Sequence, residues 1–440
     1  MDKVIKVRIP PSPTGNLHVG TARTALFNYL FAKKEGGEIV FRFEDTDRER
    51  SKPEFEENII EGLKWLGLSW DGEIYRQSER GDLYKKALDK LLEQGRAYYV
   101  DGAEGAIKLK VEPQEVVFED VVRGSVKTHT DSFGGDFVIA RSLDNALYHL
   151  AVVVDDTEMG ITHVIRGEDH ISNTARQILL QQALGYERPI YAHLPLLVDD
   201  KRRKLSKRAG DTDLLSYRAK GYLAEAMVNY LALLGWNPKT DREFFSLEEL
   251  AQAFSLEGIQ KGSAAFSLEK LKAVNKHYLK DLSEEELLEK SRGFLEKEGI
   301  GAAEDEGYWQ AALKTEQERA ATLEELAKSV EFFKLDWGLE VSADVLVWRK
   351  STKEETVDKL EKTRDFLNNL SDEDFREEDL EKKVLDWIDK EVLGRGDSLW
   401  PMRVALTGQE HSPGPFEVGA VLGKEKTINR LDQAIAIMKA

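Results

Sequence analysis

The chain has 440 residues, of which 41% are hydrophobic, so it predicts about three domains with real cores and excludes a small binding module. It contains no cysteine and carries a formal net charge of -18, which excludes disulfides, a catalytic thiol and a thiolate zinc site and argues against a generic nucleic-acid coat. No run of eighteen apolar residues and no secretory leader are visible, so we expect a cytoplasmic protein without membrane contact.

The first predicted elements are a strand and a helix joined by a turn rich in proline and glycine. Residues 4–9, VIKVRI, are β-branched and alternating, which predicts a short buried strand. Apolar residues recur at helical spacing from Ala22 to Leu30, and Gly36 is well placed to end the helix. The turn at residues 10–20 would direct backbone N–H groups and the positive end of the helix dipole at one spot, which suits a phosphate. A stiff proline-rich connection without a ligand would fit the same residues.

Short β-branched runs alternate with helical patterns as far as about residue 210. The later runs include DFVIA, LYHLAVVVDD, THVIRGED and IYAHLPLLVDD, and each predicts a strand. This alternation predicts an α/β domain with a mostly parallel sheet. Residues 101–136 interrupt it with β-rich, glycine-bounded sequence, which we interpret as an inserted subdomain. The remaining two hundred or so residues show amphipathic patterns with Glu/Lys faces and are predicted to be nearly all α.

Polar residues follow four of the predicted strands at the point where each strand ends. In open α/β sheets, ligands bind outside the carboxyl ends of parallel strands, near a switch in strand order. A solvated loop charge explains any one of these groups alone, but four at one sheet edge favour a binding site. We expect Asn173 or Thr174 to open the helix after the third strand. The groups are Arg8 with Ser12 and His18, Glu44 with Asp45 and Asp47, Arg166 with Glu168 and Asp169, and KRRKLSKR at 201–208.

This set of side chains suits phosphoryl or nucleotidyl transfer. A helix N-terminus with a histidine and a loop with lysines can surround a triphosphate and offset the charge at an attacked phosphorus. Two arginines can grip a carboxylate while a glutamate holds an ammonium, so the sequence predicts a small acidic amine beside ATP. A GxxxxGK[ST] loop is absent, and no residue resembles a covalent nucleophile with its base. The candidates are His18, Lys204 and Lys207 for the phosphates, Arg8 and Arg166 for the carboxylate, and Glu44 for the ammonium.

The remaining histidines and two tryptophans have simpler interpretations. His149, His163, His170 and His193 show no metal-ligand spacing, so we interpret them as packing or hydrogen-bonding residues. Trp65 and Trp70 flank an apolar helix end, and we interpret them as core residues rather than as a platform for base stacking. No metal site is predicted from the sequence.

Several motifs in fixed order resemble the glutamyl-tRNA synthetases of the class I aminoacyl-tRNA synthetases. HVGT stands where the class has its HIGH signature, and KLSKR stands where it has KMSKS. The other motifs are PSPTG, EDTDRER, LKWLGLSWD, YRQSER and VIRGEDHISNT. The resemblance covers nearly the whole chain except residues 101–136, because FSLEKLKAVNKHYL is similar to the stem-contact region of the family and WPMRVALTGQEHSPGPFEVGAVLGKE to part of its anticodon-binding domain.

The resemblance implies a Rossmann-like, parallel-sheet α/β catalytic domain with a small β-rich insertion, followed by a helical stem-contact domain and an all-α anticodon-binding domain. The implied bounds are 1–97 and 137–210 for the two catalytic halves, 98–136 for an acceptor-end insertion without zinc ligands, 211–280 for the stem-contact domain and 281–440 for the anticodon-binding domain.

The resemblance also implies a role for individual residues. The implied catalytic residues are His18, Gly20, Lys204 and Lys207. The implied ATP-binding residues are these four together with Thr21 and Ser206. The tRNA-binding candidates are Asp47, Arg50 and Arg319. The glutamate pocket is formed by Arg8, Ser12, Glu44, Tyr148 and Arg166.

The implied reaction joins L-glutamate to tRNA(Glu) with ATP and Mg²⁺, and the family is commonly monomeric. Members usually activate the amino acid only with tRNA bound, and we expect the same here. Many bacterial members carry Cys and His zinc ligands in the insertion, whereas residues 98–136 are short and lack cysteine. We therefore expect no zinc, and the sequence leaves open how the shortened insertion holds the acceptor end.

Three alternatives remain at the level of sequence. A truncated paralogue that attaches glutamate to a modified tRNA base lacks the helical C-terminal half that is present here. The glutaminyl enzyme shares the catalytic architecture but carries a β-barrel anticodon module. A catalytically silent tRNA-binding or scaffolding relative would have no use for the phosphate-binding HVGT and KLSKR. Whether tRNA(Gln) is also charged with glutamate depends on a few anticodon contacts.

Overall fold

The computed structural model describes residues 4–199, 201–203, 205, 212–301, 305–334, 341–349 and 351–440. The chain forms two compact units, Met1–Val274 and Asn275–Ala440. No helix in these described ranges combines the length and the apolar character that crossing a lipid bilayer requires.

The first unit contains all the strands of the described residues and is of the α/β type. Its strands are β1 (Lys6–Ile9), β2 (Glu38–Phe43), β3 (Ile74–Arg76), β4 (Ala97–Tyr99), β5 (Ile107–Leu109), β6 (Glu115–Asp120), β7 (Gly124–His129), β8 (Phe137–Ser142), β9 (Asn145–Ala146), β10 (His163–Gly167), β11 (Ile190–Leu194), β12 (Leu197–Val198) and β13 (Ala264–Ala265). Its helices are α1 (Val19–Glu35), α2 (Pro53–Trp65), α3 (Gly81–Glu93), α4 (Tyr148–Glu158), α5 (Ile171–Leu184), α6 (Leu214–Ala219), α7 (Ala224–Leu233), α8 (Leu247–Ala253) and α9 (Leu268–Lys280), which contains the point of division.

The central sheet is parallel and doubly wound, as the alternating pattern predicts. Strands β1, β2 and β3 pair in parallel in that order, and β10 pairs in parallel with β11. The two groups meet where the Thr162 N–H donates to the Lys6 carbonyl oxygen at 2.9 Å. The spatial order is therefore β3, β2, β1, β10, β11. Because the order reverses between β1 and β10, a ligand cleft is expected outside the carboxyl ends of these two strands.

The β-rich character predicted for the insertion is confirmed, but its strands belong to two sheets. Strands β4, β5, β8 and β9 form a separate antiparallel sheet that continues to Ala146. Strands β6 and β7 form a hairpin, and β6 pairs with β11 through Asp120 and Tyr191. The hairpin therefore extends the edge of the central sheet. The domain bounds expected from the sequence stay predictions.

Helix α1 has the predicted C-terminal stop and an earlier start. Gly36 adopts the left-handed conformation with φ 62° and ψ 29°, and its N–H donates to the Ala32 carbonyl oxygen, which is a common helix ending. The helix begins at Val19, inside the predicted turn, because the His18 side chain caps it. Trp65 and Trp70 pack against the core around this helix, as predicted.

The strand predicted for LYHLAVVVDD is wrong, because Tyr148–Glu158 form helix α4. Residues 150–156 are all buried, so the segment has no amphipathic period that would mark it as a helix. Its three consecutive valines favour a strand locally. Burial on several sides stabilises the helix and overrides this weak local preference.

Helix α5 begins at Ile171, so the prediction that Asn173 or Thr174 opens it is wrong. A 3₁₀ turn at Glu168–His170 leads directly into the helix. The Thr174 hydroxyl donates to the His170 carbonyl oxygen at 3.1 Å, so this residue lies within the first turn rather than before it.

The second unit is helical throughout its described residues, as the Glu/Lys-faced patterns predict. Helix α17 (Pro415–Lys439) is interrupted at Gly423, where φ is 73°. The helices are α10 (Glu284–Lys297), α11 (Glu306–Gln317), α12 (Leu323–Ser329), α13 (Ala343–Leu346), α14 (Lys353–Asn368), α15 (Glu377–Lys390), α16 (Arg395–Thr407) and α17 (Pro415–Lys439).

Candidate active site

A cavity of about 620 Å³ opens at the carboxyl ends of β1 and β10, where the strand order reverses. Four segments that are distant in sequence contribute side chains to it, namely the ends of β1, β2 and β10 and the start of α4. The cleft therefore brings together residues of the first three predicted strand ends, although Asp45, Asp47 and Glu168 do not line it, and Leu205 is the one described residue of the fourth group that does. The candidate residues that line it are Arg8, Ser12, His18, Gly20, Thr21, Glu44, Tyr148 and Arg166.

His18 lies in this cavity as the N-terminal cap of α1. Its Nδ1 accepts a hydrogen bond from the Gly20 N–H at 3.0 Å. Because this nitrogen is an acceptor, the neutral ring carries its proton on Nε2, which is then a donor. A Cβ on residue 20 would lie 3.2 Å from His18 Nδ1, so only glycine leaves the ring undisturbed. The Val19 N–H donates to the Thr212 carbonyl oxygen at 3.0 Å, so fewer backbone N–H groups are available to a ligand than the turn alone predicts.

Two buried arginines, Arg8 and Arg166, line the same cavity and are 2% and 5% exposed. Arg8 Nη1 donates to the Ile165 carbonyl oxygen at 3.3 Å. Burial lowers the pKa of Arg8, opposed chiefly by the nearby Asp156 carboxylate, but an arginine remains charged. Within the described residues, Arg166 Nη1 is buried and has no hydrogen-bond partner. A guanidinium donor of this kind can bind an acceptor such as a ligand carboxylate.

Glu44 follows β2 and is held by the buried Arg42. Arg42 Nη2 donates to Glu44 Oε1 at 3.1 Å, and Arg42 Nη1 donates to Asp156 Oδ1 at 2.9 Å. Burial raises the pKa of Glu44, and the positive charges of Arg42 and Arg8 oppose the rise. Asp156 Oδ2 also lies 3.6 Å from Arg8 Nε. One carboxylate therefore links the arginine that holds Glu44 with a cavity arginine, and sequence reasoning missed both Arg42 and Asp156.

Tyr148 is the first residue of α4 and lines the cavity together with His170. The Tyr148 hydroxyl lies 3.2 Å from His170 Nδ1. Burial raises the pKa of Tyr148 to about 12, with the negative charge of Glu44 adding to the rise. The phenol is therefore neutral and can act as a hydrogen-bond donor at physiological pH.

Three candidates for ATP binding, Lys204, Ser206 and Lys207, lie outside the described residues. Between them, Leu205 lines the cavity, and its N–H donates to the Leu197 carbonyl oxygen at 3.0 Å.

The tRNA-binding candidates lie elsewhere. Asp47 and Arg50 form an exposed pair, with Arg50 Nε 2.7 Å from Asp47 Oδ2. The hydrogen bond from Arg50 lowers the pKa of Asp47. Arg319 belongs to the second unit, where its side chain is half exposed and its Nη1 lies 3.7 Å from Glu316 Oε1. The contacts of these three residues leave their role a prediction.

In the second unit, the carboxyl group of Glu316 has a pKa shift that affects stability near neutral pH. The side chain is 5% exposed, and burial raises its pKa to about 7, with Arg319 opposing and Glu417 adding to the rise. The folded state therefore binds the proton more tightly than the unfolded state does. The resulting stability is present below pH 4.5 and is lost as the pH rises through about 7.

Replacing Glu316 with glutamine is expected to remove this pH dependence. Relative to the variant, the wild type should lose up to roughly 3 kcal/mol of unfolding free energy between about pH 4.5 and pH 8. Urea denaturation at both pH values measures the difference. Glu318→Gln is the control, because that carboxylate is exposed and should change stability by less than about 0.5 kcal/mol at either pH. Parallel curves for wild type and Glu316→Gln would contradict the expectation.

The histidines pack and form hydrogen bonds. The His163 ring packs on Phe31 with 4.9 Å between centroids, and His193 bonds to Asp120. Across the described ranges no three His, Cys, Asp or Glu side chains are grouped so that they could hold a metal ion.

Comparison with known proteins defines the class first. Residues 4–112 and 101–273 match the family "tRNA synthetases class I (E and Q), catalytic domain", and residues 285–435 match the family "Anticodon binding domain". Together with the doubly wound sheet and its cleft, these matches define a class I aminoacyl-tRNA synthetase.

The similar proteins share one name, glutamate–tRNA ligase. The chain is 42% identical to the glutamate–tRNA ligase of Thermodesulfovibrio yellowstonii, over 98% of this chain and 99% of that one, and 41% identical to that of Aquifex aeolicus, over 97% and 98%. A crystal structure of a glutamate tRNA ligase from Elizabethkingia meningosepticum in complex with its amino acid matches with a TM-score of 0.88 and 30% identity, over 99% of this chain and 100% of that one. This chain belongs to the glutamate–tRNA ligase family.

Proposed function

We propose that this chain activates L-glutamate with ATP and transfers the glutamyl group to the 3′-terminal adenosine of tRNA(Glu). The observation that carries the proposal is the pairing of opposite charges in one cleft. Two buried arginines and a carboxylate, Glu44, line the cavity that also contains the N-terminus of α1. An α-amino acid with an acidic side chain is complementary to this charge pattern.

The arginines would bind the side-chain carboxylate of glutamate. Arg166 Nη1, a buried donor without a partner among the described residues, and Arg8 can together offer the forked donors that a carboxylate requires. Glu44 would bind the ammonium group, and Ser12 and Tyr148 would complete the pocket. Because the cleft is largely buried, each charged contact is stronger than it would be in water.

ATP would bind at the start of α1. The Nε2–H of His18 would donate to a phosphate oxygen, with Gly20 and Thr21 allowing close approach of the backbone, and Lys204, Ser206 and Lys207 would also contact the phosphates. Phosphate binding at a helix N-terminus needs no other special feature. Bound Mg²⁺ would neutralise part of the triphosphate charge, and it commonly reaches proteins through substrate phosphates rather than an all-protein cage.

In the first step, an oxygen of the α-carboxylate of glutamate attacks the α-phosphorus of ATP, and the bond to the β-phosphate oxygen breaks. Glutamyl-adenylate and pyrophosphate result. In the second step, the 2′-hydroxyl of the terminal adenosine attacks the carbonyl carbon of the mixed anhydride, loses its proton and releases AMP. The residues act by positioning and by stabilising charge, because no covalent intermediate with the protein is formed.

Binding of tRNA would involve both units. Asp47 and Arg50 would contact the tRNA from the first unit, and Arg319 would read the anticodon from the second. We further propose that the protein acts as a cytoplasmic monomer, and that it charges tRNA in the absence of zinc.

Aminoacylation of purified tRNA(Glu) and tRNA(Gln) with glutamate and ATP tests the function. We expect glutamyl-tRNA(Glu), with glutamate-dependent AMP formation only when tRNA is present. Full-rate ATP–pyrophosphate exchange without tRNA would contradict the tRNA requirement alone. Absence of acylation of either tRNA would refute the function and favour a silent tRNA-binding relative.

A further inference from the structure

A fully buried histidine supports the arginine at the end of β10. Arg166 and His193 are direct partners in the parallel pairing of β10 and β11, so their side chains share one face of the sheet. Arg166 Nε donates to His193 Nε2 at 3.2 Å. On the opposite side of the ring, His193 Nδ1 lies 2.6 Å from Asp120 Oδ2. The three side chains therefore form a continuous line from the β6–β7 hairpin to the cavity.

The chemistry of the three groups fixes the position of the ring proton. A guanidinium has donors only, so Nε2 of His193 must offer its lone pair to Arg166. The proton then sits on Nδ1 and is donated to the Asp120 carboxylate. Burial lowers the pKa of His193, which keeps the ring neutral despite the nearby carboxylate. Burial alone would raise the pKa of Asp120, but the hydrogen bonds from His193 and from the Arg123 N–H outweigh it and lower that pKa.

Asp120 is itself held rigidly. Its Oδ1 accepts from the Val122 N–H at 3.0 Å, from the Arg123 N–H at 2.8 Å and from the His193 N–H at 3.3 Å. Its side chain is fully buried. Because Oδ1 faces only donors, the carboxylate has one free oxygen for the histidine and cannot rotate without losing these bonds.

The consequence for Arg166 is a fixed guanidinium plane. His193 holds Nε, and the Thr174 hydroxyl accepts from Nη2 at 2.7 Å. Two contacts on a rigid planar fork determine the direction of the third nitrogen, Nη1, which is the buried donor without a partner in the described part of the chain.

We propose that Asp120 and His193 are positioning residues for glutamate selection: Asp120 fixes the tautomer of His193, and His193 fixes the plane of Arg166 so that Nη1 meets the side-chain carboxylate of the substrate. The inference rests on the proposed function. It assigns a role in substrate choice to a residue of the inserted hairpin, which does not line the cavity itself.

Asp120→Asn tests the proposed chain of contacts from Asp120 through His193 to Arg166. An amide cannot accept hydrogen bonds both from the three backbone N–H groups and from His193 Nδ1. If its oxygen faces the three backbone N–H groups, its NH₂ faces Nδ1, so the ring proton moves to Nε2. There it opposes the Arg166 Nε–H and turns to the Thr174 hydroxyl, 3.0 Å from Nε2, which also binds Arg166 Nη2. If it is turned the other way, the NH₂ opposes the backbone donors. We expect the KM for glutamate in tRNA-dependent ATP–pyrophosphate exchange to rise roughly tenfold or more, with the KM for ATP within about twofold of wild type. The preference for glutamate over glutamine should fall in parallel.

His193 variants provide the second measurement. Glutamine can place an amide oxygen near the position of Nε2 and should retain glutamate affinity better than His193→Leu, which offers no acceptor. His163→Gln is the matched control, because this histidine lies on the same strand as Arg166 but packs on Phe31; it should leave the KM for glutamate unchanged. Nitrogen NMR of histidine-labelled protein should show the His193 proton on Nδ1 in the wild type and not in Asp120→Asn.

The outcomes separate this proposal from the proposed function. An unchanged glutamate KM in Asp120→Asn, or equal rises in the KM values for glutamate and ATP, would overturn the positioning role of Asp120 while wild-type glutamylation still supports the function. Equal increases in the KM for glutamate in His193→Gln and His193→Leu would also overturn the positioning role of His193. If the wild type forms no glutamyl-tRNA, the function fails, and the NMR result alone then tests whether Asp120 sets the tautomer.

Discussion

Replacing Arg166 with leucine is expected to lower kcat/KM for glutamate by roughly 10³-fold or more, because the substrate carboxylate would lose one of the two arginines proposed to bind it in the buried cleft. The loss should fall on glutamate alone, with the KM for ATP near the wild-type value. ATP–pyrophosphate exchange is measured with tRNA present, once with the glutamate concentration varied and once with the ATP concentration varied, to check both expectations.

Two further variants make this result specific. Arg176→Leu removes a guanidinium from α5, the helix that follows β10, where it lies 4.7 Å from the Phe133 ring centroid and outside the cavity; its kcat/KM should stay within about threefold of wild type. Arg166→Lys keeps the charge but cannot keep the forked contacts to His193 and Thr174, so it should recover only part of the activity. Near-normal kinetics of Arg166→Leu would show that the carboxylate is bound elsewhere.

Replacing His18 with asparagine is expected to lower kcat by roughly 10²-fold to 10³-fold while the protein remains as stable as the wild type. Asparagine is a good helix cap, so its side-chain oxygen can accept from the Gly20 N–H as Nδ1 does. The Nε2–H that we propose donates to the phosphates is lost. Single-turnover formation of glutamyl-adenylate and thermal unfolding are the measurements.

His18→Ala separates the cap from the chemistry. It removes both the cap and the donor, so it should match His18→Asn in kcat and in addition lose about 1 kcal/mol of stability. If His18→Asn is as active as the wild type, the histidine serves α1 only as a cap. Equal stability of the two variants would show that the observed cap bond contributes little.

The parts of the fold that follow from local pattern were predictable. Alternating runs identify β1, β2 and β10, and Gly36 marks the end of α1, because period and left-handed glycine are properties of neighbouring residues. Helix α4 was not predictable in the same way. Its identity depends on burial by distant elements, which a run of valines does not reveal.

The cavity-lining residues were likewise easier to predict than the buried residues that hold them in position. Arg8, Glu44 and Arg166 directly follow or end strands, where the fold places ligands. Arg42 lies inside β2 as a charge in an otherwise apolar run, and this was the one available signal for a buried ion pair. The contact of Asp120 with His193 joins residues 73 positions apart, and only the pairing of β6 with β11 brings them together.

The attachment of the β6–β7 hairpin to the central sheet limits how this enzyme can be re-engineered. A chimera that exchanged the whole insertion of residues 98–136 for that of another synthetase would replace Asp120 along with the surface predicted to hold the tRNA acceptor end. If Asp120 positions Arg166 as proposed, such a graft would alter the selection of glutamate together with the predicted tRNA contacts. Retaining residues 115–129 and exchanging only the flanking antiparallel sheet would keep the two properties independent.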